Sequence, residues 1–98
     1  MKIIWSPLSL ERVAEIANYI ANDNLTAGER WVDGIFKTVE LLEDLPKFGR
    51  IVPEIEKDDF REIIKGNYRI IYRVEPEQVS ILTVLHGKKM LPVEEVLK

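Results

Sequence analysis

The fold is decided by residues 60–74, which read FREIIKGNYRIIYRV. The hydrophobic period in this stretch is two, as in β-strands, and Gly66-Asn67 is a two-residue turn that suits a type II′ hairpin. Counting from this turn sets the register, which pairs Lys65 with Tyr68, Ile63 with Ile70 and Arg61 with Tyr72. The stretch therefore predicts two antiparallel strands, Phe60–Lys65 and Tyr68–Val74.

A third strand, Val79–His86, is predicted after the turn Glu75-Pro76-Glu77-Gln78. If Val74 pairs with Val79, then the register brings Tyr72 to Ile81 and Tyr68 to Leu85. One face of the sheet then collects the residues expected in the core, which are Ile63, Tyr68, Ile70, Tyr72, Val74, Val79, Ile81 and Leu85. The two tyrosines are interpreted as core residues with their hydroxyls at the rim.

The opposite face of the predicted sheet is half apolar and half charged. It collects Phe60, Glu62, Ile64, Arg69, Ile71, Arg73, Ser80, Leu82, Val84 and His86. An exposed mixed surface of this kind is typical of a binding face for a partner, which is the interpretation we favour. The alternative is that residues 47–59 and the C-terminal segment fold over it.

Two helices precede these strands. Ile3-Ile4-Trp5 predicts a short first strand, and Ser6-Pro7 then begins a helix that ends at Asn22-Asp23-Asn24. Thr26 and Glu29 form a capping-box pattern that begins a second helix, which Pro46 stops. The short loop makes the helices an antiparallel hairpin. Trp31 lies on the apolar stripe of the second helix, and Gly34 indicates either tolerated slack or close approach of the first helix's alanines.

The order of these elements predicts an α+β fold, β-α-α-β-β-β, with the helical hairpin packed on one face of a mostly antiparallel sheet. Residues 47–59 form an irregular connection, and Leu91–Lys98 has room for a short C-terminal helix. With 98 residues, the chain is expected to form a single domain, 1–98.

Composition excludes several classes of site and partner. There is no cysteine, so neither a disulfide nor a thiolate metal site forms, and no set of His, Asp and Glu has metal-ligand spacing. We expect no metal and no cofactor. A net charge of −3 argues against general affinity for nucleic acid. The N-terminal apolar run is too short for a signal peptide and no segment would span a bilayer, so we expect a cytoplasmic protein without a membrane partner.

Several blocks of the sequence resemble the RelE/ParE toxin superfamily. They are Gly49–Glu54 (GRIVPE), Phe60-Arg61-Glu62, Asn67–Val74 (NYRIIYRV) and Val84–Lys89 (VLHGKK), and the order of predicted elements is also similar. The resemblance implies the toxin of a bacterial type II toxin–antitoxin pair of the kind linked to plasmid stabilisation. It also implies a hetero-oligomer in which the tail of a cognate antitoxin wraps and inactivates the toxin.

The superfamily resemblance leaves two activities open. RelE-like members are endoribonucleases that cut mRNA on the translating ribosome, whereas ParE-like members block DNA gyrase and cut nothing. In the nuclease alternative, Arg69 matches the arginine used at the phosphate, Lys89 matches a second arginine, and His86 supplies proton transfer from the same face as Arg69. However, no aromatic residue follows Lys89 and the chain is acidic. We therefore favour the ParE-like interpretation, without enzymatic activity.

The ParE-like interpretation assigns the charged residues to binding. The residues expected to contact the target or the antitoxin are Glu62, Arg69, Arg73, His86, Lys88 and Lys89, with Leu91, Val93, Val96 and Leu97 of the tail 91–98 as a docking element. Three of these residues have a simpler structural interpretation. Arg69 and Arg73 beside Glu62 are typical of a surface ion-pair network, and His86 of a hydrogen-bonding residue. A third possibility for the chain is an interaction module that kept the fold and lost toxicity.

Overall fold

Two helices lie on one face of a five-stranded sheet in the computed structural model, which describes residues 1–97. The elements are β1 (Lys2–Trp5), α1 (Pro7–Asp23), α2 (Leu25–Glu40), β2 (Arg50–Ile51), β3 (Phe60–Lys65), β4 (Tyr68–Val74) and β5 (Gln78–His86). The predicted α+β fold is confirmed, with one short strand, β2, that was not predicted. The expected C-terminal helix is a single 3₁₀ turn, Val93–Glu95, and Lys98 lies outside the described residues.

The sheet has the order β1-β5-β4-β3-β2. β1 is parallel to β5, and all other neighbours are antiparallel. Where β1 ends, the Ser6 N–H donates to the Ile81 carbonyl at 3.0 Å, and the Ser6 hydroxyl accepts from the Ser9 N–H at 3.0 Å. Ser6 therefore caps α1 as predicted. In residues 1–97, neither helix has the length and apolar character needed to cross a membrane.

Asn24, not Thr26, begins the second helix. The Asn24 side chain accepts from the Ala27 N–H at 3.0 Å, while its own N–H donates to the Ile20 carbonyl at 3.1 Å. One extended residue thus ends α1 and caps α2, which makes the hairpin tighter than expected. The predicted capping box from Thr26 to Glu29 is wrong because asparagine caps at least as well as threonine and here includes two more residues in the helix.

The two helices approach each other at Gly28. A Cβ atom there would lie 3.0 Å from the Ala21 Cβ and 3.1 Å from the Ala17 carbonyl oxygen. At Gly34 an added Cβ would meet only the Lys65 Cε, at 3.4 Å. The close-approach alternative at Gly34 is therefore wrong and the slack alternative is correct. The close approach to the alanines of α1 occurs at Gly28 instead.

The hairpin of β3 and β4 has the predicted register throughout. Gly66 has a φ of +59° and Asn67 does not have a positive φ, as a type II′ turn requires. The helix-facing side chains of the sheet pack under α1 and α2. The main core is formed by Val13, Ile35, Val39, Leu42, Ile63, Ile70, Tyr72, Val79, Ile81 and Val84. Trp31 packs at the edge of this core as predicted.

A β-bulge in β5 changes which side chains face the helices. Val74 opposes Val79 and Tyr72 opposes Ile81 as predicted, but Ile71 opposes Thr83, so Leu82 is an extra residue. Beyond Leu82 the side chains exchange faces, and Tyr68 opposes His86 rather than Leu85. The assignments of Leu85 to the helix-facing core, and of Val84 and His86 to the opposite face, are therefore wrong.

The face away from the helices is covered by the chain itself. Val52 and Ile55 from the β2–β3 connection and Leu91 and Val96 from the C-terminal segment pack on Phe60, Ile71 and Leu85 as a second, smaller core. The expectation of an open binding face is therefore wrong here, and the alternative of a folded-over connection and tail is correct. Apolar residues on that face, together with apolar residues in both covering segments, favour this closure.

Candidate functional site

Arg69 is the centre of a network of four charged side chains on the covered face. Its Nε donates to Glu62 at 2.8 Å, and its two terminal nitrogens donate to the Glu54 carboxylate at 2.7 and 2.9 Å. The other Glu62 oxygen accepts from the Arg50 Nε at 2.6 Å. Arg69 is only 5% exposed and Glu62 only 1%. The expectation that Arg69 and Glu62 are available on the surface is therefore wrong. The alternative of an ion pair between Arg69 and Glu62 is correct, but the network is buried and not on the surface.

The network is electrically balanced, since two carboxylates face two guanidinium groups. Hydrogen bonding from Arg69 lowers the pKa of Glu54 from 4.5 to about 2, although burial opposes this shift. The same bonds to Glu54 raise the pKa of Arg69 above its ordinary value. Both groups thus stay charged at neutral pH, and the planar guanidinium matches the Glu54 carboxylate with two parallel bonds.

We expect stability to fall in acid because of Glu54. Its pKa is lower in the folded chain than in the unfolded chain, so its contribution to stability is complete above about pH 4.5 and is lost as the pH falls towards 2. Urea unfolding measured from pH 7 to pH 2.5 should give a flatter acid limb for Glu54→Gln than for the unsubstituted protein. Asp58, whose pKa Lys47 and Arg61 lower, contributes a slope that remains in the variant. If the unfolding free energy of the two proteins falls equally steeply in acid, the assignment of this slope to Glu54 is contradicted.

The network also fixes the turn that follows β5, which we call the Lys88–Met90 turn. A terminal nitrogen of Arg69 donates to the Lys89 carbonyl at 3.1 Å, and Glu54 accepts from the Leu91 N–H at 2.8 Å. Lys88, Lys89 and Met90 are all exposed, and Met90 is 79% exposed. In residues 1–97, neither lysine lies within 4 Å of a carboxylate, which distinguishes them from Arg69.

His86 points to the opposite side of the sheet from Arg69. Its ring contacts Tyr68 edge to face, with 5.5 Å between ring centroids, and Tyr68 contacts Trp31 in the same way at 5.3 Å. Its Nδ1 accepts from the Lys88 N–H at 3.2 Å, so the neutral ring carries its proton on Nε2. The expected shared face of His86 and Arg69 is wrong because the bulge at Leu82 exchanges the faces.

Arg73 is separate from the network. It is half-exposed, its Nε donates to Asp59 at 2.9 Å, and its guanidinium lies 5.0 Å from the centroid of the Phe60 ring. Arg73 is therefore accessible, as expected, but its carboxylate partner is Asp59 and not Glu62. In residues 1–97 no group of three or more histidine or acidic side chains is arranged to hold a metal ion.

The C-terminal tail contributes to the core more than to the surface. Leu91 is 4% exposed and Val96 9% exposed in the second core, whereas Leu97 is 45% exposed. Arg12 on α1 holds Glu95 with bonds of 3.1 and 3.3 Å, which ties the tail to the first helix. Leu91 and Val96 are therefore not free to act as docking residues, contrary to the expectation.

Two cavities flank the Lys88–Met90 turn. A cleft of about 800 Å³ separates it from α1, where Tyr19 and His86 contribute to the walls. A smaller cavity of about 430 Å³ lies on the other side, beside Arg50 and Arg69. Lys89 and Met90 line both cavities. The turn is thus the point at which the charged network, the histidine and both cavities meet.

Sequence reasoning missed Glu54 and Arg50 as members of this site, although both belong to the quoted block Gly49–Glu54. The connection between β2 and β3 has no periodic pattern, so nothing in the spacing of Glu54 indicates its contact with Arg69, 15 residues away. The only indication of a partner for Arg69 came from the chemistry of the side chain. A charged residue expected on a half-apolar strand face requires a carboxylate partner if that face is buried.

The chain has relatives both in sequence and in fold. Residues 3–91 match the family described as the ParE toxin of type II toxin–antitoxin systems, parDE. A candidate toxin of Sinorhizobium fredii, Y4kP, is 36% identical over 93 residues, which cover 93% of each chain. A solved chain of the chromosomal ParDE TA system from P. aeruginosa superposes with a TM-score of 0.75 at 18% identity, covering 90% of this chain and 97% of that one. That superposition shows a shared fold.

Proposed function

This chain belongs to the ParE toxin family of type II toxin–antitoxin systems, and from that membership we propose that it inhibits DNA gyrase and is neutralised by a cognate antitoxin. Inhibition of this kind requires binding, not bond cleavage, so it needs no proton-transfer groups around a phosphate. The proposal is supported by the state of Arg69, which is the residue that the nuclease alternative requires at the phosphate.

The hydrogen bonds of Arg69 are already used inside the protein. All three of its nitrogens donate to Glu54, Glu62 or the Lys89 carbonyl, and the side chain is buried. Cleavage of RNA by its own 2′-hydroxyl needs a cation at the phosphate together with a nearby base and acid. His86 lies on the other side of the sheet, and Lys89 presents a point charge without a guanidinium fork. The three candidate groups therefore do not surround a common phosphate site.

We expect the purified toxin to inhibit supercoiling by gyrase. The chain is co-expressed with whichever small reading frame is found beside its gene. The two proteins are expected to elute together, and the toxin is then separated under denaturing conditions and refolded. Supercoiling of relaxed plasmid should be blocked at a micromolar excess of toxin over gyrase. The neighbouring protein, added back at one equivalent, should restore the reaction and so provides the internal control.

Separate elution of the two proteins would contradict the antitoxin assignment, and unchanged supercoiling with folded toxin would contradict the gyrase assignment. The nuclease alternative predicts codon-position cuts in mRNA in a translating extract, mapped by primer extension and abolished by His86→Ala. His86 is the appropriate residue for that test because it is only partly buried and lies outside both cores, whereas substitution of the buried Arg69 is expected to disrupt the fold. No effect in either assay would favour a non-toxic interaction module.

A further inference from the structure

The backbone of the Lys88–Met90 turn is held by hydrogen bonds, although its side chains are exposed. At its start the Gly87 N–H donates to the Asn67 carbonyl at 2.7 Å, and the Lys89 N–H donates to the His86 carbonyl at 3.0 Å. At its end the Leu91 N–H donates to Glu54 at 2.8 Å, and between them Arg69 holds the Lys89 carbonyl. Five hydrogen bonds, including the one from the Lys88 N–H to His86, thus fix a segment of five residues.

A loop that only connects two elements does not need a fixed backbone conformation. Short loops that only join elements tolerate disorder, whereas a preformed conformation lowers the entropy lost when a partner binds. A Cβ atom at Gly87 would lie 3.2 Å from the Asn67 carbonyl oxygen, so a glycine allows this close approach. The turn is therefore built as a preorganised surface element.

The chemistry of the turn indicates the kind of partner. Six basic side chains form ion pairs with carboxylates of the chain, namely Arg12, Lys47, Arg50, Arg61, Arg69 and Arg73. The basic side chains of residues 1–97 that are not engaged in this way are Lys2, Arg30, Lys37, Lys57, Lys65, Lys88 and Lys89. Among these, only Lys88 and Lys89 are adjacent in the chain, and beside them lies the very exposed, flexible side chain of Met90. Two free ammonium groups beside an adaptable apolar side chain are complementary to an acidic peptide segment that carries an apolar residue.

We propose that the Lys88–Met90 turn is the docking element through which this toxin binds an acidic segment of its protein target, and that Arg69 and Glu54 position it. The proposal rests on the chain being a toxin, as proposed above, but it does not depend on gyrase being the target. Arg69 and Glu54 make no contact with the partner in this arrangement. They act through the Lys89 carbonyl and the Leu91 N–H.

The test compares two double charge reversals. Lys88→Glu with Lys89→Glu places acidic groups at the turn, and the matched control is Lys2→Glu with Lys57→Glu. The two control lysines are also exposed, and they lie towards the opposite end of the sheet, where Lys2 opposes Gln78 and Phe60 opposes Arg73. Toxicity is measured as growth arrest on induction without antitoxin, folding as the Tm of the purified protein, and antitoxin binding by titration.

The turn reversal should raise the expression level needed for half-maximal growth arrest by about tenfold or more, because like charges then face the acidic segment. The control reversal should leave toxicity within about twofold, and both variants should fold and bind antitoxin. Undiminished toxicity of a folded turn variant would overturn the proposal. Loss of antitoxin binding in that variant would also overturn it, by assigning the turn to the antitoxin. Binding of the unsubstituted toxin to duplex DNA at physiological salt would favour a nucleic-acid surface and overturn it too.

Failure of the proposed function has a different signature. If unsubstituted toxin arrests growth while supercoiling is unaffected, gyrase is not the target, yet the comparison of the two reversals still decides the role of the turn. If the unsubstituted protein arrests no growth, it has no target for the turn to bind, and both proposals fail.

The positioning role has its own test. Glu54→Gln should accelerate hydrogen exchange of the Leu91 amide by about tenfold and reduce toxicity, because a neutral amide accepts this bond more weakly than a carboxylate. The control, Asp59→Asn, removes a carboxylate from the same connection and breaks only the exposed pair with Arg73. It should leave that amide and the toxicity unchanged. A Glu54→Gln variant that loses toxicity and Tm without faster exchange at Leu91 would show an ordinary structural role and contradict positioning.

Discussion

Arg69→Ala is expected to lower the free energy of unfolding by about 3–5 kcal/mol, enough to leave much of the protein unfolded at 37 °C. The substitution leaves Glu54 and Glu62 without their buried cation, and the Lys89 carbonyl loses its donor as well. Urea unfolding at pH 7 measures the loss. Any loss of toxicity in this variant would therefore report unfolding before it reports a role in binding.

Arg73→Ala is the matched control for Arg69→Ala. Both arginines are on β4 and both bind a carboxylate, but the Arg73 side chain is 48% exposed. An exposed ion pair contributes at most about 1 kcal/mol, so the control should remain folded. Equal losses in the two variants would contradict the conclusion that the Arg69 network is what holds the connection and the tail to the sheet.

Gly49→Ala is expected to lower the free energy of unfolding by about 3 kcal/mol. An added Cβ would lie 2.4 Å from the Glu62 carbonyl oxygen and 2.8 Å from the Tyr72 hydroxyl, which accepts from the Gly49 N–H at 2.9 Å. The Glu62 carbonyl belongs to the backbone and cannot move aside as a flexible side chain can. The added methyl group therefore forces β2 away from β3. Thermal and urea unfolding measure this effect.

The same substitution at Gly34 should have the opposite sign. Alanine there meets only the flexible end of Lys65 and improves a helix interior by up to about 1 kcal/mol. A stabilised Gly34→Ala beside a strongly destabilised Gly49→Ala would show that contact geometry, and not the residue type, decides the outcome. Similar effects at the two glycines would contradict the close approach at Gly49.

The hairpin of β3 and β4 was predictable from the sequence because a two-residue turn leaves only one register. The C-terminal half of β5 was not, since a bulge at Leu82 has no local sequence signal and shifts every side chain after it to the other face. The start of α2 was misplaced for a similar reason. Asn24 and Thr26 are both good caps, and only the structure shows which one the chain uses.

For the candidate site, the sequence predicted that some of the charged residues are accessible, but not how they are arranged. Lys88, Lys89 and Arg73 are accessible as expected, but Arg69 and Glu62 are buried because the irregular connection supplies Glu54 and Val52 above them. The path of such a connection depends on tertiary contacts and not on a repeating pattern. His86 was placed on the wrong face through the same bulge that misplaced Leu85.

The parallel pairing of β1 with β5 has a consequence for how the protein is made. Lys2 opposes Gln78 and Trp5 opposes Ile81, so β1 has no neighbour in the sheet until residues 78–81 have been translated. Pairing across so long a stretch of chain is also slow to form, because the ends of a long loop must be brought together. A nascent or truncated chain that stops before Ile81 therefore lacks the complete pairing of β1 at the edge of its sheet.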